Sequence, residues 1–223
     1  MKTIVYVDGY NLYYGLLRKS SYKWLDLYKL FQDNLLNQSV EVVEVRYYTA
    51  PVLGKMSDDP ASGQRQRTYL QALRKMPPNR TRIIEGKIVA STPYLRLVRS
   101  IPEVPTITHV QVHELNEKKS DVNLAADLIV GAWTGEFEQA VICTNDTDIS
   151  GALAAVRKHH PQIILGLVAP IPGNDHRKMA ADLIKYTNWS KVLSPVHLAN
   201  SQLPQKIPNT SIHKPDKWGE MQI

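Results

Sequence analysis

The sequence predicts an α/β fold, a three-layer sandwich in which helices cover both faces of a mostly parallel β-sheet. Three observations lead there: short continuous apolar runs recur along the chain, segments of helical periodicity separate them, and two of the runs stop abruptly at acidic residues. A run without polar alternation suits a strand buried on both sides, which is the situation of a strand in a parallel sheet.

Thr3 to Val7 reads as the first strand, ended by Asp8-Gly9, and Asn11 to Arg18 as the helix behind it. Leu27, Leu30, Phe31 and Leu35 fall at helical spacing within a helix from about Leu25 to Leu36. Val40 to Val52, rich in Val and Tyr, is the second strand, ended by Pro51 and Gly54. A polar loop with Ser57, Asp58 and Asp59 precedes a basic helix from Gln64 to about Met76, which Pro77-Pro78 stops. Thr81 to Ala90 resembles a strand bent at Gly86. A long connection with Pro93, Pro102 and Pro105 then leads to His109–His113, whose alternation suits an exposed or edge strand.

Asp121 to Trp133 is strongly helical, with Val122, Ala125, Ala126, Ile129 and Val130 on its apolar face. Gln139 to Thr144 is a buried strand, Ile149 to Lys158 a helix, and Ile163 to Val168 the last clear core strand. A short helix from about Lys178 to Tyr186 follows. Strands that alternate with helices call for crossover connections and hence parallel pairing. From Ser194 onward Pro195, Pro204, Pro208 and Pro215 interrupt a polar segment without periodicity. The expected organisation is one domain over 1–193 and an irregular Pro-containing C-terminal tail over 194–223.

The chain has 223 residues, 43% of them hydrophobic, enough for one substantial core. Lys and Arg number 27 against 21 for Asp and Glu, a formal charge of +6, with a pI near 9.3. That balance suits a polyanionic partner, though a solvated basic surface would show it too. Cys143 is the only cysteine, so an intrachain disulfide and a Cys-rich zinc site are excluded and a reducing compartment is expected. No apolar run approaches the ~20 residues that span a bilayer. Met1-Lys2 leads directly into a strand, so the chain reads as cytoplasmic and away from membranes; a homo-oligomer is possible but not indicated.

The acids carry the chemistry. Asp8 ends a buried strand and Asn11 opens the next helix; Asp146 and Asp148 repeat the arrangement after another strand, with Thr144 and Thr147 supplying hydroxyls. Asp121 opens a third helix after Lys118-Lys119-Ser120. Each can be read as a turn or cap residue, which these types favour at such places. Gathered at the open end of a parallel sheet they would repel, about 4 kcal/mol for charges ~4 Å apart at an effective dielectric near 20. They would then need protons or a cation, and oxygen-only ligands favour Mg²⁺ or Mn²⁺. Asp127 lies about 240° round the helix from Asp121, so it is expected as a supporting group or an inward residue satisfied by hydrogen bonds, with a ligand role as the alternative.

Val7-Asp8-Gly9-Tyr10-Asn11-Leu12-Tyr13-Tyr14, Lys118-Lys119-Ser120-Asp121-Val122-Asn123-Leu124-Ala125-Ala126-Asp127 and Thr144-Asn145-Asp146-Thr147-Asp148 occur in this order. With them the chain resembles the NYN domain proteins, which belong to the PIN-like nucleases. Each motif is short; the three in order are more specific and span Thr3 to about Asn188. The resemblance implies a PIN-like fold whose carboxylates bind Mg²⁺ or Mn²⁺ and hydrolyse RNA, with Asp8, Asn11, Asp121, Asp146 and Asp148 at matching positions. Asp127 matches an acidic position of the middle motif. The third motif usually reads Ser-Gly-Asp-x-Asp-Phe; here Thr144-Asn145 precede Asp146, and Ile149 replaces the aromatic.

The expected reaction is metal-dependent hydrolysis of RNA to 5′-phosphate and 3′-hydroxyl products. Asp8, Asp121 and Asp146 are the preferred ligands, Asp148 a ligand or the group that orients water, and Asn11 a positioning residue. Lys118, Lys119, Arg65, Arg67 and Thr144 are candidate substrate contacts. Arg74, Lys75, Arg80, Arg82, Arg96 and Arg99 are further cations for phosphates. Tyr10, Tyr13 and Tyr14 suit base stacking or half-buried packing. His109 with His113, His159-His160 and Asn174-Asp175-His176-Arg177 are weaker polar candidates. A noncatalytic RNA-binding module is the alternative from another class. A small-molecule, pyridine-type hydroxylase, as assigned to some NYN-like proteins, is a minor one.

Overall fold

Ile4 and Tyr6 project from one side of the first strand and Val5 and Val7 from the other, and all four are buried. That strand must therefore lie inside a sheet covered on both faces. The computed structural model describes residues 1–53, 59–172 and 178–219. In chain order it contains β1 (Lys2–Asp8), α1 (Gly9–Leu12), α2 (Leu27–Lys29), β2 (Glu41–Thr49), α3 (Ser62–Lys75), β3 (Thr81–Glu85), β4 (Lys87–Ser91), β5 (Tyr94–Arg96) and β6 (His109–Gln111). There follow β7 (Glu114–Lys118), α4 (Ser120–Thr134), β8 (Gln139–Cys143), α5 (Ser150–His159), β9 (Ile164–Ala169), α6 (Ala181–Ile184), β10 (Trp189–Val192) and α7 (Pro195–Asn200).

The main sheet has the order β10-β9-β8-β1-β2-β3, and every neighbouring pair in it is parallel. Connections leave the centre in opposite directions, so their helices fall on opposite faces. Val5, Val7, Leu12, Leu27, Phe31 and Leu73 pack on one face, under α1, α2 and α3. Ile4, Tyr6, Leu124, Leu128, Leu153 and Val156 pack on the other, under α4 and α5. The three-layer α/β sandwich around a parallel sheet follows from these two cores.

Several elements differ from the sequence reading. α1 and α2 are single α-turns continued by π-helical turns over Tyr13–Leu17 and Leu30–Leu35. The bent strand expected over 81–90 is two strands in two sheets. β3 closes the main sheet, while β4 leaves it to pair antiparallel with β7. Gly86 makes the break: its N–H donates to the Thr49 carbonyl, and a Cβ there would come within 2.6 Å of the Lys118 carbonyl oxygen. β5 and β6 extend this arm as a second antiparallel pair. The strongly polar β7 offers no apolar run to read. β10 was likewise hidden, because Ser190 and Lys191 dilute it. It is fixed by Trp189, whose ring lies so close to Gly166 that a Cβ there would meet it at 2.1 Å. The Ser57-Asp58 loop and the Asn174–Arg177 cluster lie outside the described residues.

The segment from Ser194, as far as it is described, contains α7, capped by Ser194 and His197, and a 3₁₀ turn over Asp216–Trp218, and otherwise winds without helix or strand. It packs on the domain: Leu198, Leu203 and Ile207 are buried with Trp24, Leu25 and Leu30 in one core. Backbone hydrogen bonds from Asp26 N–H to the Ser201 carbonyl and from Leu203 N–H to the Trp24 carbonyl seat it, as does the Trp24 indole on the Pro204 carbonyl. Its packing came from apolar residues spaced too irregularly to register as an element. Truncating Ile207 to Ala should cost about 2–5 kcal/mol, read as a lower urea midpoint. An unchanged midpoint would mean that this segment adds nothing to the core.

Candidate active site

β1 and β8 lie side by side at the centre of the sheet, yet the chain leaves β1 toward β2 and leaves β8 toward β9. A crevice opens outside the carboxyl ends of two such strands, because no connection covers it. Asp8 ends β1 there, and Thr144 directly follows β8. Asp8 is only 6% exposed. Its Oδ1 accepts the Asn11 N–H at 2.9 Å and its Oδ2 accepts the Thr144 hydroxyl at 2.8 Å.

The same network continues along the second loop. Asn11 Oδ1 accepts the Asn145 N–H at 2.9 Å, Thr144 Oγ1 accepts the Asp146 N–H, and Asp146 Oδ1 accepts the Asp148 N–H at 3.0 Å. Asp8 and Asp146 therefore do cap the turns that follow them, and capping is compatible with facing the crevice. Thr144, expected as a substrate contact, is fully buried, and its hydroxyl is committed to Asp8. It can act on substrate only by holding that carboxylate. Asn145 also accepts the Ala180 N–H and donates to the Lys178 carbonyl, and Ile149 is core. The two departures in the third motif are thus packing and tethering residues.

Asp121 sits in the first turn of α4. Glu117, which the sequence reading passed over, caps this helix by accepting the Ser120 N–H at 3.1 Å and its hydroxyl at 2.6 Å. Asp121 is thereby released from capping. Burial first, then the charges of Asp8, Asp146, Glu117 and Asp148, raise its pKa to about 6. Burial also pushes the Asp8 carboxyl up, against the hydrogen bonds from Asn11 and Thr144, and Asp146 adds to the rise. Five carboxylates share one field. Among the described residues, however, no three His, Cys, Asp or Glu side chains stand close enough to hold a metal ion as placed. The fit of a divalent cation rests on the donor set, hard carboxylate oxygens whose mutual repulsion a cation would relieve.

Asp127 accepts a hydrogen bond from the Tyr48 hydroxyl at 2.8 Å, which satisfies it against the sheet. Lys118 and Lys119 are exposed beside Asp121, with Lys119 in the left-handed region at φ 84°. Arg65 is ion-paired with Asp59, and Arg67 is exposed and bonded to Gln64. Arg74 and Arg80 pair with Glu85 and Glu41. His159 and His160 pack on Trp133, and His109 contacts Thr108.

Next to Asp8, on the side of α1 and α3, the structure contains a pocket of about 230 Å³. Tyr10, Tyr13, Tyr14, Tyr47, Tyr69 and Trp218 line it together with Arg18, Lys23 and Arg65. Tyr10 reaches toward both regions: burial, Tyr14 and Glu117 push its hydroxyl up to about 12. Gly9 keeps the wall thin, since a Cβ there would come within 2.5 Å of the Tyr48 carbonyl oxygen. The sequence signalled only Tyr10, Tyr13, Tyr14 and Arg65 of this pocket.

The chain is 35% identical, over 98% of its length and 75% of the relative's, to the 6-hydroxy-3-succinoylpyridine 3-monooxygenase HspA of Pseudomonas putida (strain DSM 28022 / S16). The crystal structure of VPA0982, a protein of unknown function from Vibrio parahaemolyticus RIMD 2210633, is similar in fold. Its TM-score is 0.53 at 18% identity, with 91% of this chain and 96% of that one covered. The NYN domain model matches residues 2–188, which include β1, α4 and the Thr144–Asp148 loop, and the chain therefore belongs to the nuclease-like NYN domain family.

Proposed function

We propose that the protein is a Mg²⁺- or Mn²⁺-dependent ribonuclease that hydrolyses phosphodiester bonds to 5′-phosphate and 3′-hydroxyl products. The observation that carries this reading is the field at Asp121, whose pKa of about 6 arises from burial and four neighbouring carboxylates. At neutral pH such a group is mostly ionised and uncompensated, the condition that a divalent cation relieves. The nuclease-like family and the +6 formal charge support a polyanionic substrate.

Asp8, Asp121 and Asp146 would hold the cation, which when bound supplies Lewis acidity and a more acidic water. Asp8 is held in place by two hydrogen bonds, one on each oxygen. Asp148, exposed at the rim, would orient water and accept its proton. Asn11 keeps the Thr144–Asp148 loop in register through Asn145. Lys118 and Lys119 would neutralise substrate phosphates, with Arg67 and Arg65 further along the surface. The catalytic unit is residues 1–193, and the described residues of the C-terminal tail over 194–223 pack on it. One buried cysteine suits a reducing, cytoplasmic setting, and no described helix is long and apolar enough to cross a membrane.

A second reading has a specific observation behind it. The 35% identical relative is named a 6-hydroxy-3-succinoylpyridine 3-monooxygenase, and the pocket beside Asp8 is lined with aromatic rings. Under that reading the chain would consume dioxygen together with an added two-electron donor, place one oxygen atom on a hydroxypyridine acid, release the other as water, and leave RNA intact.

Purified protein should cleave single-stranded or structured RNA with Mn²⁺ or Mg²⁺ and stop with chelator. Asp8→Asn and Asp146→Asn should each lower the rate at least ~100-fold, about 2.7 kcal/mol of transition-state stabilisation. RNA intact with either metal, and Asp146→Asn altering binding alone, would sink hydrolysis.

Thermal melting gives an independent check. Folding raises the Asp121 pKa from 3.8 to about 6, so its penalty grows as pH rises through that window and is complete above it. In chelator at pH 7, Asp121→Asn should melt higher, roughly 2–4 °C for each ~1 kcal/mol of repulsion removed. The advantage should fade toward pH 4. Mn²⁺ should raise the wild-type melting temperature more than the variant's; equal melting at pH 7 without any Mn²⁺ effect would contradict a cation site.

A further inference from the structure

We propose that the pocket between the α1 segment, the start of α3 and Trp218 binds a planar aromatic ring carrying an anionic group. A nucleoside monophosphate unit and a free aromatic carboxylic acid share that chemistry. The site is distinct from the acid cluster, and its occupancy requires neither metal nor hydrolysis.

The anionic end is argued from Lys23. This residue is only 7% exposed, and its ammonium donates to the Ser20 carbonyl at 2.8 Å. Among the described residues it is in no ion pair. An ammonium has three donors, so the bond to Ser20 leaves donors for a ligand. Arg65 and Lys217 add positive charge beside it and both bind the single Asp59 carboxylate. A buried cation among other cations is costly unless an anion joins it.

A second, independent feature lies on the opposite wall. Among the described residues Ser62 Oγ is buried without a hydrogen-bond partner, and Ser62 lines the pocket. It begins the 14-residue α3, whose N-cap Ala61 offers no side-chain acceptor. The first N–H groups of α3 and its positive dipole end therefore stand on the side of the Ser62 hydroxyl. A hydroxyl left unpaired in a wall costs stability, and a polar ligand would satisfy it.

The ring is argued from the remaining lining. Trp218 packs against Trp24 and Tyr69, with centroids 6.2 and 5.9 Å apart, which makes a rigid floor. Tyr13 and Tyr14, 37% and 56% exposed, stand at the mouth. Exposed tyrosines beside buried rings favour a planar guest that stacks or packs edge-on. The volume of about 230 Å³ lies below the ~300–1,000 Å³ of pockets for drug-sized ligands, so it suits one ring unit.

Calorimetric titration in chelator tests this, with adenosine 5′-monophosphate and pyridine-3-carboxylate as probes and adenosine and inorganic phosphate as controls. At least one probe should bind saturably and at least tenfold more tightly than either control. Tighter binding of the nucleotide assigns the pocket to RNA, and tighter binding of the pyridine acid to a small aromatic substrate. Lys23→Met should weaken binding about tenfold. Ser62→Ala should weaken it about threefold while the free protein melts at the same or a higher temperature, since no hydrogen bond is lost. Asp146→Asn should leave binding unchanged, so that failure of the nuclease reading is separable from failure of this one. Neither probe binding, affinity unchanged in both pocket variants, or binding lost with Asp146→Asn would overturn the proposal.

Discussion

The hydrogen bond from the Thr144 hydroxyl to Asp8 joins the ends of β1 and β8, and the candidate site is organised around it. A carboxylate at 6% exposure is expensive to keep charged. Here the Asn11 N–H and the Thr144 hydroxyl share the cost, each on its own oxygen. The parallel sheet supplies the place. Only at the central pair β1 and β8 do the following segments diverge, so only there can a polar group be buried at a strand end and still face a cleft. Asn11 and Asn145 then lock the two loops together, and Asp146 and Asp148 inherit their positions from that lock.

The division of charge follows from the same plan. Glu117 takes over the capping of α4, leaving Asp121 to the crevice. Negative charge is thereby gathered on one side of Gly9 and Tyr10. The cations Lys23, Arg65 and Lys217 gather on the other, around the aromatic pocket. Two regions of opposite sign separated by one turn of chain suit a substrate that has a ring and an anionic group near the bond to be broken.

Much of this was legible in the sequence, for a physical reason. β1, β8 and β9 are buried on both faces, so burial alone writes them as continuous apolar runs, and an acid that ends such a run stands out. The order of strands and helices then gave the parallel sandwich. What stayed hidden depends on contacts between distant segments. β7 and β10 are polar strands held by their neighbours, and the split at Gly86 reflects the approach of Lys118. Leu198, Leu203 and Ile207 find their core in Trp24 and Leu25. Glu117 looked like one more polar residue of a connection. Lys23, Ser62 and Trp218 have no shared local pattern, so no spacing rule reveals them as one pocket.

Trp218 closes that pocket against Trp24 and Tyr69, so its walls come from opposite ends of the described chain. Partial opening of the arm or of a surface loop leaves such a wall intact, whereas loss of the global topology abolishes it. A guest in the pocket would act as a clasp on the whole molecule, raising by mass action the free energy of global unfolding and of any opening that frees Trp218, while leaving fraying elsewhere almost untouched. The slowest-exchanging amides of the central strands, rather than those near the guest, would then report its presence most strongly.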